Sequence, residues 1–278
     1  MEKFQLSEDV YVKTVAIHVK DVEEMVNFYK NVLGFILKLE ENNLSIFGSQ
    51  KKDSRLLILE EVESEQEQLE LSSSVVCFSL LIPTEEEFGS LLRRITAHNY
   101  PIKASIRKGQ RQSILLEDPE GNELEVSYQG ESTRCKDVSE ILDIEPLIEQ
   151  SNVLYSSLSA DVRFDRIKLR VVDKATHAFF YNHILGMSSE EQVKDKLSMN
   201  EGKFEIHLDD SKNAQKHSVA VEKSLGVDFF VLTVNHEEEI KRLIQHLEKQ
   251  KQDFFVDKKL TILTIYDPSQ IEWWFVRN

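Results

Sequence analysis

Three cationic residues alternate with aliphatic ones in one short segment of the second half of the chain. Arg166, Lys168 and Arg170 are each separated by a single apolar residue, the period of a β-strand with one buried face. Three cations on one strand face suit an anionic ligand such as a carboxylate or a phosphate. The alternative is that Glu272 and neighbouring acids neutralise this row within the protein.

The closing segment EWWF contains a second candidate for ligand binding. Glu272 and Trp274 have the same strand parity, so we expect both side chains to face one cavity, with Trp274 as part of its floor. Trp273 and Phe275 have the opposite parity and are expected to pack under the helices as ordinary core.

Three residues suited to metal binding or acid-base chemistry lie in other strand-like runs. His18 lies in KTVAIHV, Cys77 in VVCFSLLI and Glu125 in NELEVSY. Parity places each on the face away from the helix-packing residues, so we expect them to face a cavity. Each also has a structural explanation: a hydrogen-bonded strand histidine, a small buried cysteine, and a carboxylate held in an ion pair.

The elements that position these residues arise from a duplication. The segments VKDVEEMVNFYKNVLGF and VVDKATHAFFYNHILGM lie 152 positions apart, and PTEEEFGSLLRRI and NHEEEIKRLIQHL keep the same offset. Chance rarely preserves one offset across two motifs without a gap. The matched residues include Asp21 with Asp173, Phe28 with Phe180, Tyr29 with Tyr181, Leu33 with Leu185, and Gly34 with Gly186.

Each half contains two units with the order strand, helix and three strands. In the first unit we expect the helix to begin after the N-cap Asp21 and to end at Gly34. In the second unit Thr84 and Glu87 form a capping box. The sequence therefore predicts an α+β fold of four βαβββ units, paired into two domains with curved mixed sheets and outer helices. The predicted segments are domain 1 at residues 1–129, a connector with a short helix at 130–163, and domain 2 at 164–278.

The composition restricts the classes of partner and the compartment. The chain has 34 Lys and Arg against 49 Asp and Glu, which gives a formal net charge of -15. This charge repels phosphate backbones, so we expect no nucleic-acid partner. The start MEKFQLSEDV lacks the apolar core of a signal peptide, and no apolar run has membrane-spanning length. We expect a cytoplasmic protein with no membrane partner and, with only two cysteines, no disulfide framework.

The motifs DVEEMVNFYKNVLGF and DPEGNELE resemble those of the vicinal-oxygen-chelate superfamily. This superfamily includes glyoxalase I, extradiol catechol dioxygenases, fosfomycin-resistance enzymes and bleomycin-binding proteins, and the resemblance covers nearly the whole chain. The length is similar to that of two-domain extradiol dioxygenases, while RLLILEEVES and the DPSQIEWWF ending are more similar to the CppA group. The resemblance implies a small-molecule cavity in each curved sheet, and it leaves a homodimer open because paired units commonly exchange between subunits.

The resemblance also implies a metal held by residues at strand starts and by a glutamate after the DPxGN turn. The aligned positions are Thr14, Cys77 and Glu125 in the first half, and Arg166, Phe229 and Glu272 in the second. Neither half has the family's set of two histidines and a glutamate. In the second half the charge of Arg166 repels a divalent ion, and Phe229 has no lone pair to donate.

The first half therefore remains the candidate for a divalent metal, which would be zinc, iron or manganese. Glu125 is the expected ligand, and His18 and Cys77 would complete a site shifted along the strands. A thiolate and a carboxylate together suit zinc better than iron or manganese, but two donors rarely hold a metal tightly.

Two functions of different classes fit the sequence, and a third fits poorly. The first is a superfamily member with an incomplete metal-ligand set that binds a small anionic or aromatic molecule. The alternative is a metal-dependent lyase, isomerase or extradiol-type dioxygenase that uses the domain 1 cavity, with Glu125 as ligand or base. A proteinase of the CppA type needs an activated nucleophile, and Cys77 on a cavity-facing strand is poorly placed to admit a protein substrate.

Overall fold

A computed structural model describes residues 4–62, 74–131, 138–190, 193–210 and 225–277. Within them the predicted order of one strand, one helix and three strands occurs four times. The fold is α+β with curved, open, mixed sheets, as the sequence predicts. Among these residues no helix is both long and apolar enough to cross a bilayer.

The first two units have the following bounds. Unit one comprises β1 Tyr11–Val19, α1 Val22–Asn27, β2 Ile36–Glu41, β3 Leu44–Gly48 and β4 Leu57–Glu61. Unit two comprises β5 Val75–Ile82, α2 Glu85–Ala97, β6 Ala104–Lys108, β7 Arg111–Glu117 and β8 Glu123–Gln129. The connector contributes β9 Ser139–Ile141 and α3 Glu145–Gln150, the short helix that the sequence predicts.

The last two units follow the same order. Unit three comprises β10 Arg163–Arg170, α4 Lys174–Phe179, β11 Ser188–Glu190, β12 Val193–Met199 and β13 Phe204–Asp209. Unit four comprises β14 Gly226–Val234, α5 Glu237–Gln250, β15 Phe255–Val256, β16 Ile262–Tyr266 and β17 Glu272–Arg277.

The helices begin where the capping residues place them. Asp21 Oδ1 accepts a hydrogen bond from the amide of Glu24 at 3.0 Å, and Thr84 Oγ1 accepts one from the amide of Glu87 at 3.2 Å. The first helix differs from the prediction at its other end. The α-helix stops at Asn27 and continues as a π-helical turn, Phe28–Val32. Over only five residues the hydrophobic spacing does not distinguish an α-helix from a π-helix, so the sequence did not reveal the wider turn.

The repeated tyrosine and aspartate of the two motifs form equivalent buried hydrogen bonds. Tyr29 donates from its hydroxyl to Asp118 Oδ2 at 2.9 Å, and Tyr181 donates to Asp267 Oδ2 at 2.5 Å. Burial raises the pKa of Asp118 to about 6, although hydrogen bonds from Asn122 and Tyr29 act in the opposite direction. The motif residues therefore tie each helix to the hairpin turn, and their role here is structural.

The chain divides into two compact units, neither of which is one continuous segment. The C-terminal unit contains the described parts of Met1–His18, Gln66–Val76 and Asp165–Asn278. The central unit contains the described parts of Val19–Glu65 and Cys77–Phe164. Within the C-terminal unit the strand orders are β15-β16-β17-β14-β1 and β11-β12-β13-β10. Within the central unit they are β4-β3-β2 and β5-β8-β7-β6-β9.

The first and fourth repeats are joined by the antiparallel pairing of β1 with β14. The sequence analysis did not predict this pairing, because it assigned neighbouring repeats as partners. The domain boundaries at 129 and 164 stay a prediction. The pairing brings residues from the start and the end of the chain onto one sheet face.

Candidate functional site

One face of the five-stranded part of the C-terminal unit combines aromatic and polar side chains. The register across β1, β14, β17 and β16 aligns them in two neighbouring rows. One row contains Ala16, Phe229, Glu272 and Tyr266, and the next contains Thr14, Val231, Trp274 and Thr264. We call these eight residues the aromatic face.

Strand alternation creates this face. Phe230, Trp273 and Phe275 point to the other side of the sheet, where they are buried and α5 packs on β14 and β17. Phe229 and Trp274, one position along each strand, are only half-buried. The parity argument thus assigned Trp273 and Phe275 to the core and Trp274 to the opposite face, in agreement with the structure.

The two half-buried rings of the aromatic face stack on each other. Phe229 and Trp274 lie nearly parallel, with an interplanar angle of 14° and ring centroids 4.7 Å apart. Such offset pairs are stabilised beyond their buried area, which holds the rings in a fixed orientation. The family resemblance aligns Phe229 with a metal-ligand position, where its ring cannot act as a ligand. In the structure Phe229 stacks on Trp274 instead.

Glu272 is the carboxylate of the aromatic face. Tyr266 donates its hydroxyl to Glu272 Oε1 at 2.7 Å, and the indole Nε1 of Trp274 donates to Glu272 Oε2. These two donors fix the carboxylate and leave each oxygen with acceptor capacity, since a carboxylate has about four lone-pair sites. The hydrogen bonds also couple Glu272 directly to the stacked rings.

His18 lies one step along β1 from the aromatic face and has a carboxylate partner. Its Nε2 is 3.4 Å from Asp228 Oδ2. Ala16 pairs with Phe229 and Ile17 with Val227, so Asp228 is the extra residue of a β-bulge. The bulge turns Asp228 toward His18, and sequence periodicity could not have found it because a bulge breaks the alternation.

Glu125, the expected metal ligand, is held by an ion pair within the central unit. Its Oε1 accepts hydrogen bonds from Arg111 Nε at 3.0 Å and from Ser113 Oγ at 2.6 Å. Arg111 also donates from Nη2 to Ser79 Oγ at 2.8 Å. The sequence interpretation missed Arg111 and Ser113. In the strand RQSILLE these two residues have the opposite parity to the buried Ile114 and Leu116, so the same parity rule would have found them.

Cys77 pairs with Glu123 across β5 and β8, whereas Glu125 pairs with Ser79. The Cys77 thiol makes a weak contact of 3.8 Å with the carbonyl of Phe78. Cys77 and Glu125 thus lie on β5 and β8 of the central unit, and His18 lies on β1 of the C-terminal unit.

Two cations of the β10 row form ion pairs within the C-terminal unit. Their partners are not Glu272, the acid named in the sequence analysis. Arg166 Nη2 is 3.1 Å from Glu205 Oε2, and Lys168 Nζ is 2.8 Å from Asp209 Oδ2. Arg170, the third member, is exposed. The expected neutralising acid, Glu272, instead contacts Tyr266 and Trp274.

Comparison with known proteins agrees with this architecture. The family model for the glyoxalase, bleomycin resistance protein and dioxygenase superfamily matches residues 11–126. Residues 11–126 are a domain of the glyoxalase superfamily. A second family model, for the C-terminal part of CppA, matches residues 158–275.

Several known proteins are similar to this chain over most of its length. A catechol-2,3-dioxygenase of Bacillus subtilis is 26% identical over 249 residues, which cover 84% of this chain and 86% of the relative. The crystal structure of the CppA protein from Streptococcus pneumoniae superposes with a TM-score of 0.69 at 15% identity, covering 99% of this chain and 100% of the other. Glyoxalase I from Zea mays superposes with a TM-score of 0.60 at 12% identity, covering 96% and 92%. The two structural likenesses show the fold.

At the positions that the family resemblance aligns with metal ligands, the structure shows other contacts or residue types that are not ligands. In the central unit Arg111 and Ser113 already bind the Glu125 carboxylate. In the C-terminal unit Arg166 is cationic and Phe229 is apolar. Across the described parts of the chain, no group of three or more His, Cys, Asp and Glu residues is arranged to hold a metal ion.

Proposed function

We propose that this protein binds a small planar aromatic molecule on the aromatic face. The observation that supports this most directly is the pair of stacked, half-buried rings, Phe229 and Trp274, on the sheet side away from α5. Ligand sites are typically lined by apolar and aromatic side chains with a few fixed polar groups, and this face has that composition. The small residues Ala16 and Thr14 pair with Phe229 and Val231 on this face, and both are buried.

The polar residues of the face restrict the ligand further. Glu272 accepts hydrogen bonds and carries a negative charge, so it favours a ligand that donates hydrogen bonds and disfavours a carboxylate. A hydroxylated ring such as catechol meets both conditions. The name of the Bacillus subtilis relative, catechol-2,3-dioxygenase, agrees with that ligand class.

Calorimetric titration with catechol in the absence of oxygen tests this proposal. We expect saturable binding to the natural protein, and binding weakened about tenfold by Phe229→Ala, because a stacked aromatic contact contributes roughly 1–2 kcal/mol. Phe179→Ala is the matched control, since Phe179 lies on α4 of the same compact unit and is 54% exposed.

Two outcomes of this titration would contradict the proposal. One is the absence of saturable binding of catechol and of a neutral aromatic such as phenol. The other is an equal loss of affinity in Phe229→Ala and Phe179→Ala, which would show that the aromatic face is not the site.

A metal-dependent dioxygenase, lyase or isomerase is the second candidate, and the name of the same relative favours the dioxygenase. Incubation of the purified protein with iron(II), manganese(II) or zinc(II), followed by gel filtration and elemental analysis, separates the two functions. A stoichiometric ion that is lost in Glu125→Ala, together with catechol-dependent oxygen uptake, supports the enzyme. Catechol binding without a retained ion supports the binding protein.

A further inference from the structure

The second sheet face of the C-terminal unit carries mainly charged side chains. Parity separates them from a buried apolar set that includes Ile167, Leu169 and Ile206, on the side where α4 packs on β13. The register places Arg166 beside Glu205, Lys168 beside His207, and Arg170 beside Asp209, with Lys196 on the other side of His207. We call these seven residues the cationic face.

Three nitrogen-bearing side chains of this face converge on one carboxylate. Lys196 Nζ is 2.7 Å from Glu205 Oε1, and Arg166 Nη2 is 3.1 Å from Glu205 Oε2. His207 Nε2 is also 3.1 Å from Oε2. Because an ionised carboxylate only accepts hydrogen bonds, His207 must carry its proton on Nε2 in this contact. Glu205 therefore holds the three side chains in fixed positions around itself.

Cations outnumber carboxylates among the seven residues of the cationic face. Four permanent cations, Arg166, Lys168, Arg170 and Lys196, lie beside two carboxylates, Glu205 and Asp209. This set occurs in a chain whose formal net charge is -15. Glu205 contacts both Lys196 and Arg166, so one carboxylate fixes the geometry of two cations.

Glu205 stays ionised throughout the physiological range. Burial by itself raises the pKa of Glu205, but hydrogen bonds from His207 and Lys196 and the charge of Arg166 outweigh it and lower the pKa to about 2. A permanently charged Glu205 keeps the surrounding donors in place at any pH at which the protein is studied.

We propose that the cationic face binds a small oxyanion, either the phosphate or the carboxylate group of a small molecule, with Lys196, Arg166 and His207 as donors positioned by Glu205. Arginine and lysine are the usual donors to such groups, and a face with fixed donors loses little entropy on binding. A small anion fits better than an extended polyanion, because the strongly negative chain around the face repels further phosphates. This site is separate from the proposed aromatic face and does not depend on it.

Titration with inorganic phosphate, and separately with succinate, at constant ionic strength set by sodium chloride tests the proposal. We expect saturable binding of at least one probe, weakened about tenfold by Lys196→Gln, which removes a charge-assisted hydrogen bond. Lys241→Gln removes the same charge from α5 of the same unit, where Lys241 pairs with Glu237 at 2.7 Å, and should leave the affinity unchanged.

Glu205→Gln distinguishes an organised site from a simple positive patch. The substitution makes the face more positive, so a diffuse electrostatic surface would bind phosphate more tightly. The proposal predicts weaker binding, because the donors lose the carboxylate that positions them. Far-UV circular dichroism and thermal unfolding of each variant confirm that the fold is retained.

Several outcomes would overturn the proposal. Absence of saturable binding of both probes at millimolar concentration overturns the proposal, as does tighter binding by Glu205→Gln or an equal loss in Lys196→Gln and Lys241→Gln. Tighter binding of a short oligonucleotide than of phosphate would overturn the claim that the ligand is a small anion. Phe229→Ala should leave the affinity for phosphate unchanged. Catechol binding and phosphate binding therefore test the two proposed sites independently.

Discussion

Glu125 has the residue type and strand position of a metal ligand, yet Arg111 and Ser113 occupy its carboxylate. Parity shows which face a residue occupies but not which neighbour it contacts across the sheet, because contacts depend on register. The same limit applies to Glu272, which was expected beside the cationic row and instead binds Tyr266 and Trp274. At the residue scale, the sequence predicts candidate side chains better than their partners.

The buried carboxylate of Asp118 gives a pH-dependent prediction. Burial raises its pKa from 3.8 to about 6, so between these values the native protein holds a proton that the unfolded chain has released. The contribution of Asp118 to the free energy of unfolding therefore falls as the pH rises from about 4 to about 6, by roughly 3 kcal/mol at most.

Denaturant unfolding of the natural protein and of Asp118→Asn across this pH range measures the effect. The side-chain amide of this variant cannot ionise, and it also loses acceptor capacity toward Tyr29 and Asn122, so the variant is less stable overall. We expect the stability difference between the two proteins to narrow as the pH rises from about 4 to about 6. A difference that stays constant with pH would show that Asp118 is not the titrating group.

Among the secondary-structure elements, the helices and strands follow local rules and could be read from the sequence. The N-caps at Asp21 and Thr84, the two amphipathic helices α2 and α5, and the three strands after each helix are all present. The β-bulge that places Asp228 beside His18 was not predictable, since an extra residue in a strand leaves no periodic signal.

Helix α2 provides a prediction at the same scale. Thr84→Ala removes the side-chain acceptor for the amide of Glu87 and should lower the free energy of unfolding by about 1 kcal/mol. Thr96→Ala, at an exposed position inside α2, is the control and should be neutral or slightly stabilising. Equal losses in chemical denaturation would show that Thr84 does not act as a cap.

In the whole molecule, the fourfold repeat was visible in the sequence but the pairing of its repeats was not. Each repeat presents the same order of strands, so hydrophobic pattern alone allows any two to pair. The observed pairing of β1 with β14 brings Thr14 and Ala16 from the start of the chain next to Phe229, Glu272 and Trp274 near its end. Duplicated units thus keep the fold while their exposed faces diverge in chemistry.

The central claim is that the aromatic face binds a planar aromatic ligand, and the indole N–H signals of the two tryptophans test it most directly. Trp274 donates its indole N–H to Glu272 on the aromatic face, whereas Trp273 is fully buried on the α5 side. Heteronuclear NMR during titration with catechol, with signals assigned through Trp274→Phe, should show a saturable shift of the Trp274 signal and little change at Trp273. If the Trp274 signal stays in place at millimolar catechol, the aromatic face is not a binding site for such molecules.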